Sequence, residues 1–145
     1  MIMQQKNKRL EPTLKAIKQL AHDWLAYYEI IHDPEKNTQE FRQAIQMGSH
    51  PLSYVHNATQ EYINDWPDLA WSLIEILMAE AGSEDIRSDI AAGPLEDLLT
   101  QYPYAFIDRV EDRSRKDPVF RSCLREVWQG TIPDDVWQRI QDVSK

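Results

Sequence analysis

The chain has few of the residues on which common catalytic and binding motifs depend. Among its 145 residues there are one cysteine and four glycines. A single cysteine cannot form an internal disulfide, which is typical of a cytoplasmic protein. So few glycines argue against the glycine-rich loops that cradle phosphate groups. No segment approaches the roughly 18 apolar residues that cross a bilayer, and no apolar segment follows the polar residues 1–9. We therefore expect a cytoplasmic protein with neither a membrane span nor a secretory signal.

The sequence also lacks the spacings of metal sites and of activated nucleophiles. Its four histidines (His22, His32, His50 and His56) form no pair three or four residues apart, so we predict no metal and no cofactor. Cys123 falls within a predicted helix beside its apolar stripe, where an inert, packed thiol is expected. No Gly-x-Ser-x-Gly motif is present for serine catalysis.

Apolar side chains recur at helical spacing along most of the chain. From Leu10 to Ile31 they return at alternating steps of four and three, as on one face of a helix, with Pro12 in its first turn. β-branched residues are sparse, and no stretch alternates for long with a period of two. The sequence predicts an all-α fold, either an irregular multi-helix bundle or a short solenoid-like stack of helical hairpins. We expect a single domain over residues 1–145, with a flexible basic tail over residues 1–9.

Capping residues, glycines and prolines divide the rest of the chain into helices. The segment from Leu69 to Ala81 is apolar on nearly every face, which predicts a helix surrounded by the others. Gly93-Pro94 is predicted to end one helix and to begin the next. A later helix is expected to run to Gly130, with Trp128 on its inner face. Other predicted boundaries lie at Thr38, Gly48, Pro51, Ser83, Asp117-Pro118 and Pro133.

Charge is segregated along this acidic chain, whose formal net charge is −8. Residues 61–97 hold ten acids and one base, whereas residues 109–125 hold six bases and three acids. Single acids in the first turns of helices complement the helix dipole and aid solubility. As a cluster, the acids predict a face that docks on a basic protein surface, because complementary charge speeds and selects association. The candidate partner-binding residues are Glu61, Asp65, Asp68, Glu80, Glu84, Asp85, Asp89, Glu96 and Asp97.

The segment from Trp71 to Arg139 carries an Ala-Gly-Pro-Leu-Glu-Asp-Leu signature at residues 92–98 and a closing tryptophan pair, Trp128 and Trp137. With these motifs it resembles a bacterial helical domain family of unknown function. It implies a small, helical, cytoplasmic bacterial protein and supplies no established activity. Physically, Gly93-Pro94 would set a turn, three leucines would pack behind it, and two acids would lie at the following helix start. The matching segments are residues 91–99, 106–111, 117–121, 127–129 and 136–139.

These observations favour a protein-binding module that neutralises or regulates a partner, with toxin immunity as its most concrete form. A basic toxin or nuclease is the expected partner. Direct nucleic-acid binding is not expected, because the chain is acidic and lacks a basic platform with interleaved aromatic residues. Two alternatives stay open. One is an enzyme whose pocket combines Glu75, Glu96 and Asp97 with an arginine, and the other is a structural subunit that dimerises with a second copy through its first helix.

Overall fold

The computed structural model describes residues 10–145, so the predicted basic tail over residues 1–9 lies outside the described residues. Every regular element in the described range is helical, which confirms the all-α prediction. None of the helices between residues 10 and 145 combines the length and the hydrophobicity that a membrane span requires. In chain order the elements are α1 (Leu14–Ile31), α2 (Gln39–Met47), α3 (Val55–Asp65), α4 (Pro67–Glu80), α5 (Glu84–Ile90), a π-helical turn (Ala91–Leu95), α6 (Glu96–Gln101), α7 (Pro103–Lys116), α8 (Pro118–Cys123), a 3₁₀ turn (Leu124–Glu126) and α9 (Asp134–Val143).

Helix α4 lies at the centre of the packing, as its all-round apolar sequence predicts. It contacts α1, α3, α5, α6 and the π turn, and it buries Leu73, Ile74 and Leu77 completely or nearly so. A single buried cluster extends from Ile17 on α1 to Ile140 on α9. Since α1 itself contacts α3, α4 and α5, the arrangement is closer to an irregular bundle than to a stack in which each hairpin touches only its neighbours.

Side-chain caps fix several helix boundaries where the sequence predicts them. The Thr38 hydroxyl accepts the Phe41 N–H at 3.1 Å, and the Ser83 hydroxyl accepts the Ile86 N–H at 3.2 Å. These bonds satisfy donors that the first turn of a helix leaves without a partner. Gly48 ends α2 with a φ of 76°, the left-handed conformation that favours glycine at this position.

Two predicted helix starts lie too early in the sequence. Pro51 belongs to a turn that precedes α3. In the first helix, Pro12 lies before the helix, because the Thr13 hydroxyl accepts the Ala16 N–H at 3.1 Å and caps α1. Leu10 continues the apolar spacing but is 92% exposed. Periodicity alone therefore overextends α1 by one turn.

The helix break predicted at Gly93-Pro94 is wrong. Helix α5, the π turn and α6 follow one another without interruption from residue 84 to residue 101. The Glu96 N–H donates to the carbonyl of Ala91, five residues earlier, which is the wider spacing of a π turn. A proline ring collides with the carbonyl four residues before it in an α-helix, and the wider turn accommodates Pro94. Glu96 and Asp97 consequently lie inside a helical run and not at a helix start.

The helix predicted to reach Gly130 also ends earlier, and Trp128 is not in the core. After α8 the 3₁₀ turn stops at Glu126, and the backbone at Val127 is extended. Trp128 is 78% exposed, and its backbone N–H donates to Glu96 Oε1 at 2.8 Å. The N–H of Trp128, two residues after the end of the 3₁₀ turn, thus donates to a carboxylate 32 residues away in the sequence.

Gly48 gives a prediction for substitution by alanine. It ends α2 at a φ of 76°. Gly48→Ala should lower the free energy of unfolding by about 1–2 kcal/mol, because the left-handed conformation is costly for a residue with a Cβ. Urea titration checks this result, and an unchanged free energy of unfolding would contradict the left-handed conformation at this position.

Candidate functional site

A small cleft lies where α1, α3 and the helical run at residues 93–97 meet. Its volume is about 120 Å³, whereas sites for cofactors and drug-sized ligands typically measure roughly 300–1,000 Å³. The cleft therefore has room for the end of a side chain or a similarly small group, and not for a nucleotide. Aromatic and polar side chains of α1 and α3 form one side, and the π turn with the start of α6 forms the other.

The aromatic side of the cleft rests on Trp24 and Tyr28, one turn apart on α1. Their rings stack with centroids 4.1 Å apart, and Trp24 is buried. Tyr28 Oη lies 2.9 Å from His56 Nε2. Burial raises the pKa of Tyr28 to about 12, with additional effects of Asp89 and Tyr27, and burial lowers the pKa of His56. Both groups are thus neutral at pH 7, and the neutral imidazole can accept the Tyr28 O–H at Nε2.

The opposite side of the cleft comes from the segment of the predicted signature. Gly93 contributes backbone without a side chain, and Asp97 places a carboxylate at the exposed rim. Partial burial raises the pKa of Asp97, and the adjacent Glu96 carboxylate raises it further. Thr59 and Gln60 of α3 add polar groups, and the lining contains no lysine or arginine. The cleft therefore combines aromatic rings with a carboxylate and lacks a positive charge of its own.

Three of the acids predicted to bind a partner contact other groups of the same chain. Asp68 Oδ1 forms an ion pair with Arg109 Nη2 at 3.0 Å, and Asp89 Oδ2 lies 2.5 Å from His32 Nε2. Glu96 holds the backbone N–H of the exposed tryptophan described above. These three contacts join segments that are distant in the sequence, so their acids contribute to the fold.

Three other candidate acids, Glu80, Glu84 and Asp85, flank the turn between α4 and α5, and we name them the acidic turn. All three are exposed. In the part of the chain that the structure describes, none of them forms an ion pair, although Glu84 and Asp85 lie in the first turn of α5, where the helix dipole favours acids. The remaining candidates are Glu61 and Asp65 on α3 and Asp97 at the rim of the cleft.

The three carboxylates predicted for an enzymatic pocket have three different surroundings. Glu75 Oε2 accepts from Arg113 Nη1 at 3.2 Å, Glu96 accepts a backbone N–H, and Asp97 lines the cleft. Between residues 10 and 145, neither Glu96 nor Asp97 forms an ion pair with an arginine.

Within residues 10–145, neither the Cys123 thiol nor a group of metal-binding side chains forms a further candidate site. Cys123 is buried, as predicted, and burial raises the pKa of its thiol, which disfavours the nucleophilic thiolate. Over the described range, no three His, Cys, Asp or Glu side chains are grouped closely enough to hold a metal ion. The cleft and the acidic turn stand as candidate functional sites.

The lowered pKa of His56 predicts a pH-dependent stability. In the unfolded chain His56 takes up a proton near pH 6.5, whereas in the folded protein it stays neutral to lower pH. As the pH falls through about 6.5, the wild type should lose stability relative to His56→Gln, and at higher pH the difference should become constant. Urea titrations over a pH series check this result. Parallel stability curves for the two proteins would show that folding leaves the proton equilibrium of His56 unchanged.

The fold and the cleft define a small all-α domain with a polar and aromatic site above a π turn. The chain belongs to the family of unknown function DUF6869, whose model matches residues 42–145. The match confirms the resemblance to a helical domain of unknown function and extends it toward the N-terminus beyond residue 71. It includes His56 and Gly93 but not Trp24 or Tyr28. Searches of curated proteins and of solved structures found no match.

Proposed function

We propose that this protein is a protein-binding module that docks on a basic partner and neutralises or regulates it, in the manner of a toxin-immunity protein. The observation that carries the proposal is the acidic turn, whose three exposed carboxylates form no ion pair within residues 10–145. Neighbouring like charges repel one another, and a surface of opposite charge relieves that repulsion. Asp68, Asp89 and Glu96 have internal partners, which sets the acidic turn apart from them.

The local charge supports a basic protein as the partner. Residues 61–97 hold ten acids and one base, and such a concentration steers an oppositely charged surface toward encounter. Nucleases and other nucleic-acid-binding toxins carry basic patches that contact phosphate groups. An acidic surface competes directly for such a patch. We place this activity in the bacterial cytoplasm, where a single buried thiol such as Cys123 stays reduced.

Two charge variants separate the position of the acids from the total charge. The acidic-turn variant carries Glu80→Gln, Glu84→Gln and Asp85→Asn. The control variant removes the same number of negative charges at exposed positions of α1, α2 and the segment between them, with Glu29→Gln, Glu35→Gln and Glu40→Gln.

Affinity capture from a bacterial lysate with the wild type and both variants tests the proposal. We expect the wild type and the control variant to retain a basic protein that the acidic-turn variant fails to retain. Mass spectrometry identifies the captured protein and gives its isoelectric point. Equal capture by the acidic-turn variant, or capture of acidic proteins alone, would contradict the proposal.

A further inference from the structure

Gly93 contributes backbone and no side chain to the cleft. It lies inside a helical run immediately before Pro94, where a Cβ would crowd the proline ring. Apart from its two chain neighbours, a Cβ at this position would meet no atom within 4 Å. One use of glycine is to let another group approach the backbone closely. A longer side chain at position 93 would occupy the open space beside the cleft.

The lining of the cleft selects a positively charged group. Asp97 supplies a carboxylate at the rim, and the partly exposed Tyr28 ring, stacked on the buried Trp24, supplies an aromatic surface. A cation brought beside Asp97 would offset its partial burial and its repulsion by Glu96. Aromatic rings together with a carboxylate favour a guanidinium group over an ammonium group, because guanidinium is planar, stacks on rings and presents a fork of donors.

We infer that the cleft between Tyr28 and Asp97, to which Gly93 contributes only backbone, receives the guanidinium group of an arginine side chain of the partner. This inference rests on the proposed function, and it adds a specific anchor to the electrostatic attraction of the acidic turn. A cleft of about 120 Å³ is of the size that suits one side-chain end. Such anchors in interface pockets commonly carry a large part of binding energy, and arginine is one of the residues enriched among them.

Titration of the ¹⁵N-labelled full chain with N-acetylarginine methylamide tests the inference without the partner. The indole N–H signal of Trp24 and the backbone signal of Gly93 report on the two sides of the cleft. We expect saturable shifts of both signals at millimolar concentrations of this probe. N-acetylcitrulline methylamide, which has nearly the same shape but no charge, should cause no saturable shift.

Two cleft variants and a matched control extend the test. Gly93→Leu places a side chain beside the cleft, and Asp97→Asn removes the carboxylate, so each should weaken binding of the arginine probe at least tenfold. Ala92→Leu, at the neighbouring exposed position, should leave binding unchanged. Circular dichroism checks that all three variants fold. If Gly93→Leu does not fold, binding of the arginine probe to Asp97→Asn alone tests the inference.

Absence of a saturable shift with the arginine probe would overturn the inference. Equal binding of the citrulline probe would overturn the requirement for a cation, and unchanged binding to Asp97→Asn would overturn the role of the carboxylate. Each of these results leaves the proposed function standing if capture still depends on the acidic turn. Conversely, probe binding in the cleft with capture that does not depend on the acidic turn would overturn the proposed function alone.

Discussion

Replacing Leu77 with alanine is expected to lower the free energy of unfolding by about 2–5 kcal/mol. The Leu77 side chain is 0% exposed and lies in α4, which contacts four other helices and the π turn. The substitution removes apolar atoms from a close-packed interior and leaves a cavity that the neighbouring helices fill only in part. This cost is a large fraction of the stability of an ordinary domain.

A leucine at an exposed position provides the control for this measurement. Leu14, the first residue of α1, is 61% exposed, so Leu14→Ala should change the free energy of unfolding by less than about 0.5 kcal/mol. Urea titration followed by circular dichroism measures both variants. A cost at Leu77 as small as that at Leu14 would show that α4 is not the centre of the fold.

The acidic-turn variant is expected to associate with the captured partner roughly tenfold more slowly than the wild type at low salt. Charges around a docking surface act over long distances and raise the rate of productive encounter. Once the complex has formed, short-range contacts hold it together, so the dissociation rate should change much less. Stopped-flow or surface-based kinetics separate the two rates.

Two controls accompany this kinetic prediction. Neutralising Glu84 and Asp85 removes their favourable interactions with the dipole of α5, and each loss should lower the free energy of unfolding by about 0.3–1 kcal/mol. Unfolding curves must therefore show that the variant remains folded. The variant with Glu29, Glu35 and Glu40 neutralised loses the same charge elsewhere. An equal loss of association rate in that variant would show that total charge matters and that the acidic turn is not the docking site.

Local signals in the sequence were sufficient to predict most of the helices. The caps at Thr38 and Ser83, the left-handed glycine at Gly48 and the all-round apolar segment of α4 each depend on residues a few positions apart. Capping bonds and helical faces are short-range properties, so spacing predicts them. Two of the wrong helix boundaries have a different cause. A π turn lets the chain continue through Pro94, and Trp128, two residues after the 3₁₀ turn, donates its N–H to Glu96.

The cleft was not predicted because its residues come from distant parts of the chain. Tyr28 and His56 are 28 residues apart, and Gly93 was interpreted as a helix stop because Gly-Pro usually marks one. Ion pairs between distant segments could not be predicted from the sequence for the same reason. Arg139 binds Glu111 through hydrogen bonds of 2.9 and 2.7 Å across α7 and α9, and spacing along the chain gives no indication of such a pairing.

The salt dependence of association tests the docking proposal most directly. Raising the ionic strength from about 0.01 M to about 0.1 M shortens the screening length from roughly 30 Å to roughly 10 Å. If the acidic turn steers a basic partner, the association rate of the wild-type protein should fall steeply over this range, while the dissociation rate stays nearly constant. An association rate that does not change with salt would contradict electrostatic docking on a basic surface.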